Sequence, residues 1–301
     1  MSEAAGSGVV LASYGRGVLV QPDSVTANGP TLRCSLKGRN QRIVCGDRVA
    51  WISRPANDGA SVESIETRRN LVERIDSRGR AEPVAANIDR LAIVVAPEPV
   101  ADWFLVDRYW AGALLKDIAA LLIVNKSDLG LDAVRDALAI YRALGLACLV
   151  TTTHSSDRLT EIRSAVGAGV TLLVGQSGVG KSSIVNALVP EAAAQTSELT
   201  RDAEGRHTTT TARRYRLDAA AAIVDAPGVR DFAPPARLDR AAERGFIEIH
   251  AGSVHCRFND CRHLEEPACA VRSAVAAGEI ASRRYESYRR LVRLYEKLAD
   301  G

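Results

Sequence analysis

The run Gly175-Gln176-Ser177-Gly178-Val179-Gly180-Lys181-Ser182 has the form G-x-x-x-x-G-K-S. That form suits one kind of chemistry, the cradling of a phosphate chain. Glycines let successive backbone N–H groups turn inward around α- and β-phosphates, and a helix opening near Lys181 adds its positive end. Lys181 is expected to reach the β- and γ-phosphates, and Ser182 to ligate Mg2+. Ser183 closes the expected contact run, which begins at Gly175 and passes through Val179. A chance Gly-rich turn would lack the apolar stretch "GVTLLVG" before it and the helical "SSIVNALV" after it.

A phosphate loop does not choose a base, but "NKSD", Asn125-Lys126-Ser127-Asp128, does. The Asp128 carboxylate can accept two hydrogen bonds, from guanine N1–H and the 2-amino group. Adenine offers neither donor, so the carboxylate would be left facing an acceptor at a cost. Asn125 is expected to brace the loop, and the Lys126 stem to cover the base.

"DAPG", Asp225 to Gly228, follows the apolar "AAIV". Asp225 can hold Mg2+ through water, and the Gly228 N–H can meet the γ-phosphate. Between the phosphate loop and this strand lies "GRHTTTTARR", where a first switch segment belongs. One of its threonines can give a hydroxyl to Mg2+; Thr209 is the candidate, with the register open among four. Many enzymes of this kind place Gln after the glycine of the second switch to orient the attacking water. Here Val229 occupies that place, and His207 becomes the candidate catalytic group. The order is NKSD, phosphate loop, switch threonine, DAPG, a circular permutation of the usual one. It predicts the usual parallel sheet, cut after the DAPG strand and rejoined through "SDRLTEIRSAVGAG".

Cys256, Cys261, His263 and Cys269 have the spacing C-x4-C-x-H-x5-C. Three thiolates and an imidazole suit one tetrahedral structural Zn2+. His250 and His255 are read as non-ligands.

These residues need elements to hold them. Residues 8 to about 66 read as some five short strands, a small barrel of OB or SH3-like type. "LVERIDSRGRAEPVAANIDR" reads as a linker. From Ile88, strands alternate with helices (103–117, 131–145, and one capped by Asp157), which implies a parallel, doubly wound sheet. A Pro break follows Phe232, then the Cys/His stretch and a charged helix. Its stripe Tyr285, Tyr288, Leu291, Leu294 and Tyr295 is expected to pack on the domain. The expected division is an OB-fold RNA-binding domain over 1–80, a circularly permuted GTPase domain over 81–232, and a mostly helical zinc-binding domain over 233–301.

The 301 residues are 47% apolar with a net charge of +3, ample for a core and not a global signature of nucleic-acid binding. No run approaches the roughly 20 apolar residues of a membrane span. "MSEAAGSGVV" does not read as a signal peptide. Three of the six cysteines cluster, which suits a cytoplasmic metalloprotein better than a disulfide framework.

With permuted motifs, "AANID" at 85–89, "GRHTTT" at 205–210 and "CRFNDCRHLEEPACAV" at 256–271, the chain resembles the YjeQ/RsgA family. The resemblance implies an OB-fold, a permuted GTPase domain and a zinc domain. It implies GTP hydrolysis to GDP, stimulated by the 30S subunit and its 16S rRNA late in subunit maturation, by a monomer. In the family the His of "GRHTTT", here His207, is the proposed catalytic residue. Ala226 stands where the family has Ser or Thr, a position not expected to ligate, and the loop at "LVTTTH" has no clear Ser-Ala, so that the resemblance leaves Thr152 and Thr153 as the base-contacting candidates there. Two other readings are a P-loop ATPase or kinase, which NKSD opposes, and a non-catalytic nucleic-acid-binding protein, which intact Lys181, Ser182 and Asp225 oppose.

Overall fold

The computed structural model describes residues 4–14, 17–25, 29–36, 42–53, 59–75, 80–190, 192, 212–226 and 242–299. His207, Thr209, Gly228 and Val229 lie outside them.

Strands β1 (Ala4–Tyr14), β2 (Gly17–Pro22), β3 (Leu32–Leu36), β4 (Arg48–Ser53) and β5 (Ala60–Ile65) form the N-terminal barrel. The pairing runs β1-β2-β3-β5-β4 and back to β1, so the sheet closes. β1 pairs with β2 along one edge and with β4 along the other, and a bulge between Val10 and Ala12 bends it. Val10, Val18, Val20, Cys34, Val49 and Val62 fill the interior.

The stretch expected as a linker is instead a hairpin, β6 (Leu71–Ile75) against β7 (Ala81–Ala86). Only Val72, Ala85 and Ala86 of it are fully buried, so an apolar pattern is hard to see. Charges hold the rest: Arg74 pairs with Glu82 at 2.7 Å, and Lys116 with Glu73 at 3.4 Å. Below the hairpin, buried Asp47 takes two hydrogen bonds from Arg68 and one from the Val44 N–H.

The central domain uses β8 (Arg90–Val95), β9 (Ala119–Val124), β10 (Ala147–Val150), β11 (Gly169–Gly175), β12 (Arg213–Arg216) and β13 (Ala221–Asp225). Their order in space is β10-β9-β8-β11-β13-β12, parallel except for β12. The phosphate-loop strand β11 is central, although three strands precede it in the chain. Helix α3 (Ser156–Val166) makes the join from β10 to β11, as the permuted order predicts. One face of the sheet packs on α1 (Trp103–Leu114) and α2 (Arg135–Ala143), the other on α3 and α4 (Lys181–Leu188).

Two details differ from the sequence reading. α2 begins at Arg135, after a turn, and not at 131. Ser155 occupies the start of α3, with Asp157 inside the first turn.

β1 also pairs with β12, Ala12 opposite Arg213, which makes barrel and central sheet one 11-stranded sheet. The C-terminal part holds α5 (Ile247–Ser253), α6 (Ala270–Ala276) and α7 (Ser282–Ala299). The stripe on α7 packs as expected: Tyr288, Leu291 and Tyr295 are buried, with Tyr285 and Leu294 against the same cluster.

Candidate nucleotide pocket and metal centre

Strands β8, β9, β11 and β13 present their carboxyl ends on one side of the sheet, where parallel sheets bind ligands. β11 ends at Gly175, the loop turns, and α4 opens at Lys181. Gly180 has φ +93°, and a Cβ there would stand 2.3 Å from the Asn125 Nδ2. A Cβ on Gly175, φ +139°, would stand 2.2 Å from the Val94 carbonyl oxygen. Glycine is required at both by backbone conformation and by space. Lys181 Nζ donates to the carbonyls of Gly175 and Gln176 at 2.8 and 2.5 Å, which folds it back over the loop.

Asn125 links the two motifs. It is 1% exposed at the end of β9, and its Nδ2 donates to the Val179 carbonyl at 2.9 Å. Its Oδ1 is buried with no hydrogen-bond partner among the described residues. Lys126 sits in the left-handed region, φ +57°, and its Nζ reaches the Glu98 carbonyl at 3.0 Å. Asp128 follows in a short 3-10 turn. A hydrogen bond from the Thr152 side chain, more than any other cause, holds the Asp128 carboxyl below the usual carboxylate range. Thr152 is therefore brought to the turn that carries Asp128. Thr153, next in the chain, is half-buried.

Asp225 closes β13 on the other side of β11. Burial pushes its carboxyl above the ordinary range, and the Lys181 ammonium opposes that push. In the strand order, the Lys181 loop after β11 lies between Asp225 at the end of β13 and Asp128 in the turn after β9. Left-handed glycines, a lysine on the loop and an unpartnered buried acceptor fit a phosphate-bearing nucleotide.

Sequence reasoning missed how the phosphate loop is tied down. Gln176 Oε1 accepts from the Asp102 N–H at 2.7 Å, and its Nε2 donates to the Val100 carbonyl at 3.1 Å. Asp102 is itself the cap of α1, accepting from the Leu105 N–H. The only sequence trace is the Pro-rich "APEPVAD" after β8, a turn signal with no stated partner.

The donor atoms of Cys256, Cys261, His263 and Cys269 all lie within 4.8 Å of one another. Tetrahedral Zn2+ with Zn–S near 2.3 Å and Zn–N near 2.0 Å sets roughly 3.8 Å between sulfurs and roughly 3.5 Å between sulfur and nitrogen. Cys256 Sγ and Cys269 Sγ are 3.9 Å apart, and His263 Nδ1 is 3.5 Å from each. The set fits the ion. Burial pushes the Cys261 thiol up to about 12, so a cation is needed to hold the thiolate form. Sequence reasoning also missed Glu243, whose Oε2 is 3.1 Å from His263 Nε2. His250 and His255 stand outside the cluster.

No helix among the described residues is long and apolar enough to cross a membrane.

The family profile described as RsgA GTPase matches residues 65–234. The "Small ribosomal subunit biogenesis GTPase RsgA" of Chromohalobacter salexigens is 39% identical over 95% of this chain and 85% of its own. The protein of that description from Hahella chejuensis is 37% identical over 94% and 83%. The crystal structure of YjeQ from Thermotoga maritima superposes with a TM-score of 0.73 at 26% identity, covering 98% of this chain and 99% of that one. YloQ, titled a circularly permuted GTPase, gives a TM-score of 0.69 at 24% identity, which speaks for the fold.

Proposed function

The chain belongs to the RsgA family of small ribosomal subunit biogenesis GTPases, and from that premise we propose how its own residues work. It is a GTP hydrolase. Gly175 to Ser183, Lys181 foremost, hold the phosphates, and Asn125 to Asp128 with Thr152 and Thr153 hold the guanine. Ser182 and Thr209 ligate Mg2+, with Asp225 behind them and Gly228 at the γ-phosphate. Bound Mg2+ would neutralise charge on the β- and γ-phosphate oxygens as the bond breaks. His207 positions the attacking water, the duty that Val229 lacks the chemistry for. Cys256, Cys261, His263 and Cys269 hold structural zinc.

The partner is the 30S subunit, contacted through 16S rRNA phosphates by the barrel and by arginines of the last domain. The protein works as a monomer in the cytoplasm, where 30S subunits mature. The proposed domains are 1–80, 81–232 and 233–301, with hairpin β6–β7 straddling the first boundary.

One observation carries the nucleotide reading: the hydrogen bond from Asn125 to Val179 locks the base-reading motif onto the phosphate loop. The decisive experiment measures GTP and ATP turnover with and without purified 30S subunits. GTP turnover should rise on 30S subunits, with ATP inert. His207→Ala should keep GTP and subunit binding while losing about 10²–10⁴ of the stimulated turnover. Stimulated turnover within about twofold of the parent would remove His207 from the reaction.

A further inference from the structure

His263 has two ring nitrogens with different duties. Nδ1 faces two cysteine sulfurs at 3.5 Å each, and Nε2 faces the Glu243 carboxylate at 3.1 Å. The ring is buried and Glu243 half-buried, with side-chain exposures of 1% and 24%. If Nδ1 gives its lone pair to a metal, Nε2 must carry the proton and donate it to Glu243. The rest of His263 is held as well: its backbone is left-handed at φ +60°, its carbonyl accepts from the Tyr285 hydroxyl at 2.6 Å, and Tyr288 lies against the ring.

Glu243 comes from outside the Cys/His stretch, 20 residues before His263, on a short 3-10 turn. That turn packs closely on α1. A Cβ added at Gly245 would stand 2.6 Å from the Ala111 Cβ of α1. Phe246 is 1% exposed, and Arg284 lies 4.6 Å above its ring. The second Glu243 oxygen is 3.4 Å from His250 Nδ1.

We infer that Glu243 is the positioning residue of the metal centre: its carboxylate fixes the tautomer and angle of His263 and makes the imidazole a better donor. Such outer partners contribute about 10–100-fold to metal affinity. The inference rests on the reading that the four donors hold zinc.

Full-length wild type, Glu243→Ala and Glu243→Gln are compared in zinc competition against a chromophoric chelator. The Co2+-substituted proteins are examined by proton NMR for the exchangeable, hyperfine-shifted Nε2–H of His263. Glu243→Ala should bind zinc about 10–100-fold more weakly, with the Nε2–H signal lost to solvent exchange. Glu243→Gln keeps an acceptor without the charge, so the signal should persist while affinity falls several-fold. Zinc affinity within twofold of wild type in both variants would overturn the inference, as would a protected Nε2–H signal in Glu243→Ala. If Glu243→Ala does not fold, Glu243→Gln decides by the same two readouts: unchanged affinity or a lost signal refutes the role. Wild type that binds no zinc would overturn the metal reading itself and the inference with it.

Discussion

At the scale of single residues, Asp225 shows a conflict between site and stability. Its folded-state pKa is raised by burial, with Lys181 opposing. The sign follows directly: the folded protein prefers this carboxyl protonated, so its ionised form costs stability at neutral pH. That cost fades as pH falls through the folded pKa and is gone below the ordinary aspartate range. Asp225→Asn should therefore raise the melting temperature of the nucleotide-free protein at pH 7 while weakening Mg2+–GTP binding. Calorimetry at pH 7 and near pH 4 should show the gain shrinking with acidity. A lower melting temperature at pH 7 would mean that attraction to Lys181 outweighs burial. The placement of Lys181 at the head of α4 and of Asp128 in the turn after β9 was legible in the sequence because it depends on neighbours within a few positions. Gln176 as an anchor and Glu243 as a metal-centre residue were not, since their partners lie 74 and 20 residues away.

At the scale of elements, α1 carries the most connections. Its first turn is fastened to the phosphate loop through Gln176, and its middle to the C-terminal helix. Asp107, fully buried, accepts from Arg284 Nη1 at 2.8 Å, from Arg283 at 3.1 Å and from the Tyr141 hydroxyl. Arg284, equally buried, also grips Glu248 through two bonds and stacks between Trp110 and Phe246. Two guanidiniums balance two carboxylates here, although Arg283 Nε and Nη2 are buried with no hydrogen-bond partner among the described residues, so removing Arg284 strands Asp107 and Glu248. Arg284→Met should cost about 3–5 kcal/mol in urea unfolding, and a loss under about 1 kcal/mol would show that water reaches the cluster. The α1 pattern itself was legible from its apolar spacing, yet nothing in that spacing marks Asp107 as buried or pairs it with Arg283 and Arg284 of α7, some 176 residues on. Hairpin β6–β7 escaped for a related reason: charged pairs, not an alternating apolar face, define most of it.

At the scale of the whole molecule, barrel and central sheet are joined where β1 pairs with β12. A chain lacking residues 1–80 loses β1 and leaves β12 as an open edge, so it should melt earlier and tend to self-associate. Its GTP affinity should stay within a few-fold, because no pocket residue is removed, while stimulation by 30S subunits should largely vanish. Full stimulation of the shortened chain would take the barrel out of subunit recognition. The permuted motif order made the parallel sheet and its rejoining through α3 legible in advance, whereas the seam was hidden: one short pairing across some 200 residues leaves no local pattern. The permutation also sets a timetable. Strands β8, β9 and β10 leave the translating ribosome before the central strand they must flank. Gly175 follows Val95 by 80 positions, roughly 4–16 s of synthesis at about 5–20 residues per second. Throughout that interval one side of β8 has no neighbour, and the half-made sheet can hold no phosphate. An unpermuted relative would begin with the central strand and never pass through this stage. This chain must wait for β11, and a nascent chain halted before Gly175 is the form most in need of a chaperone.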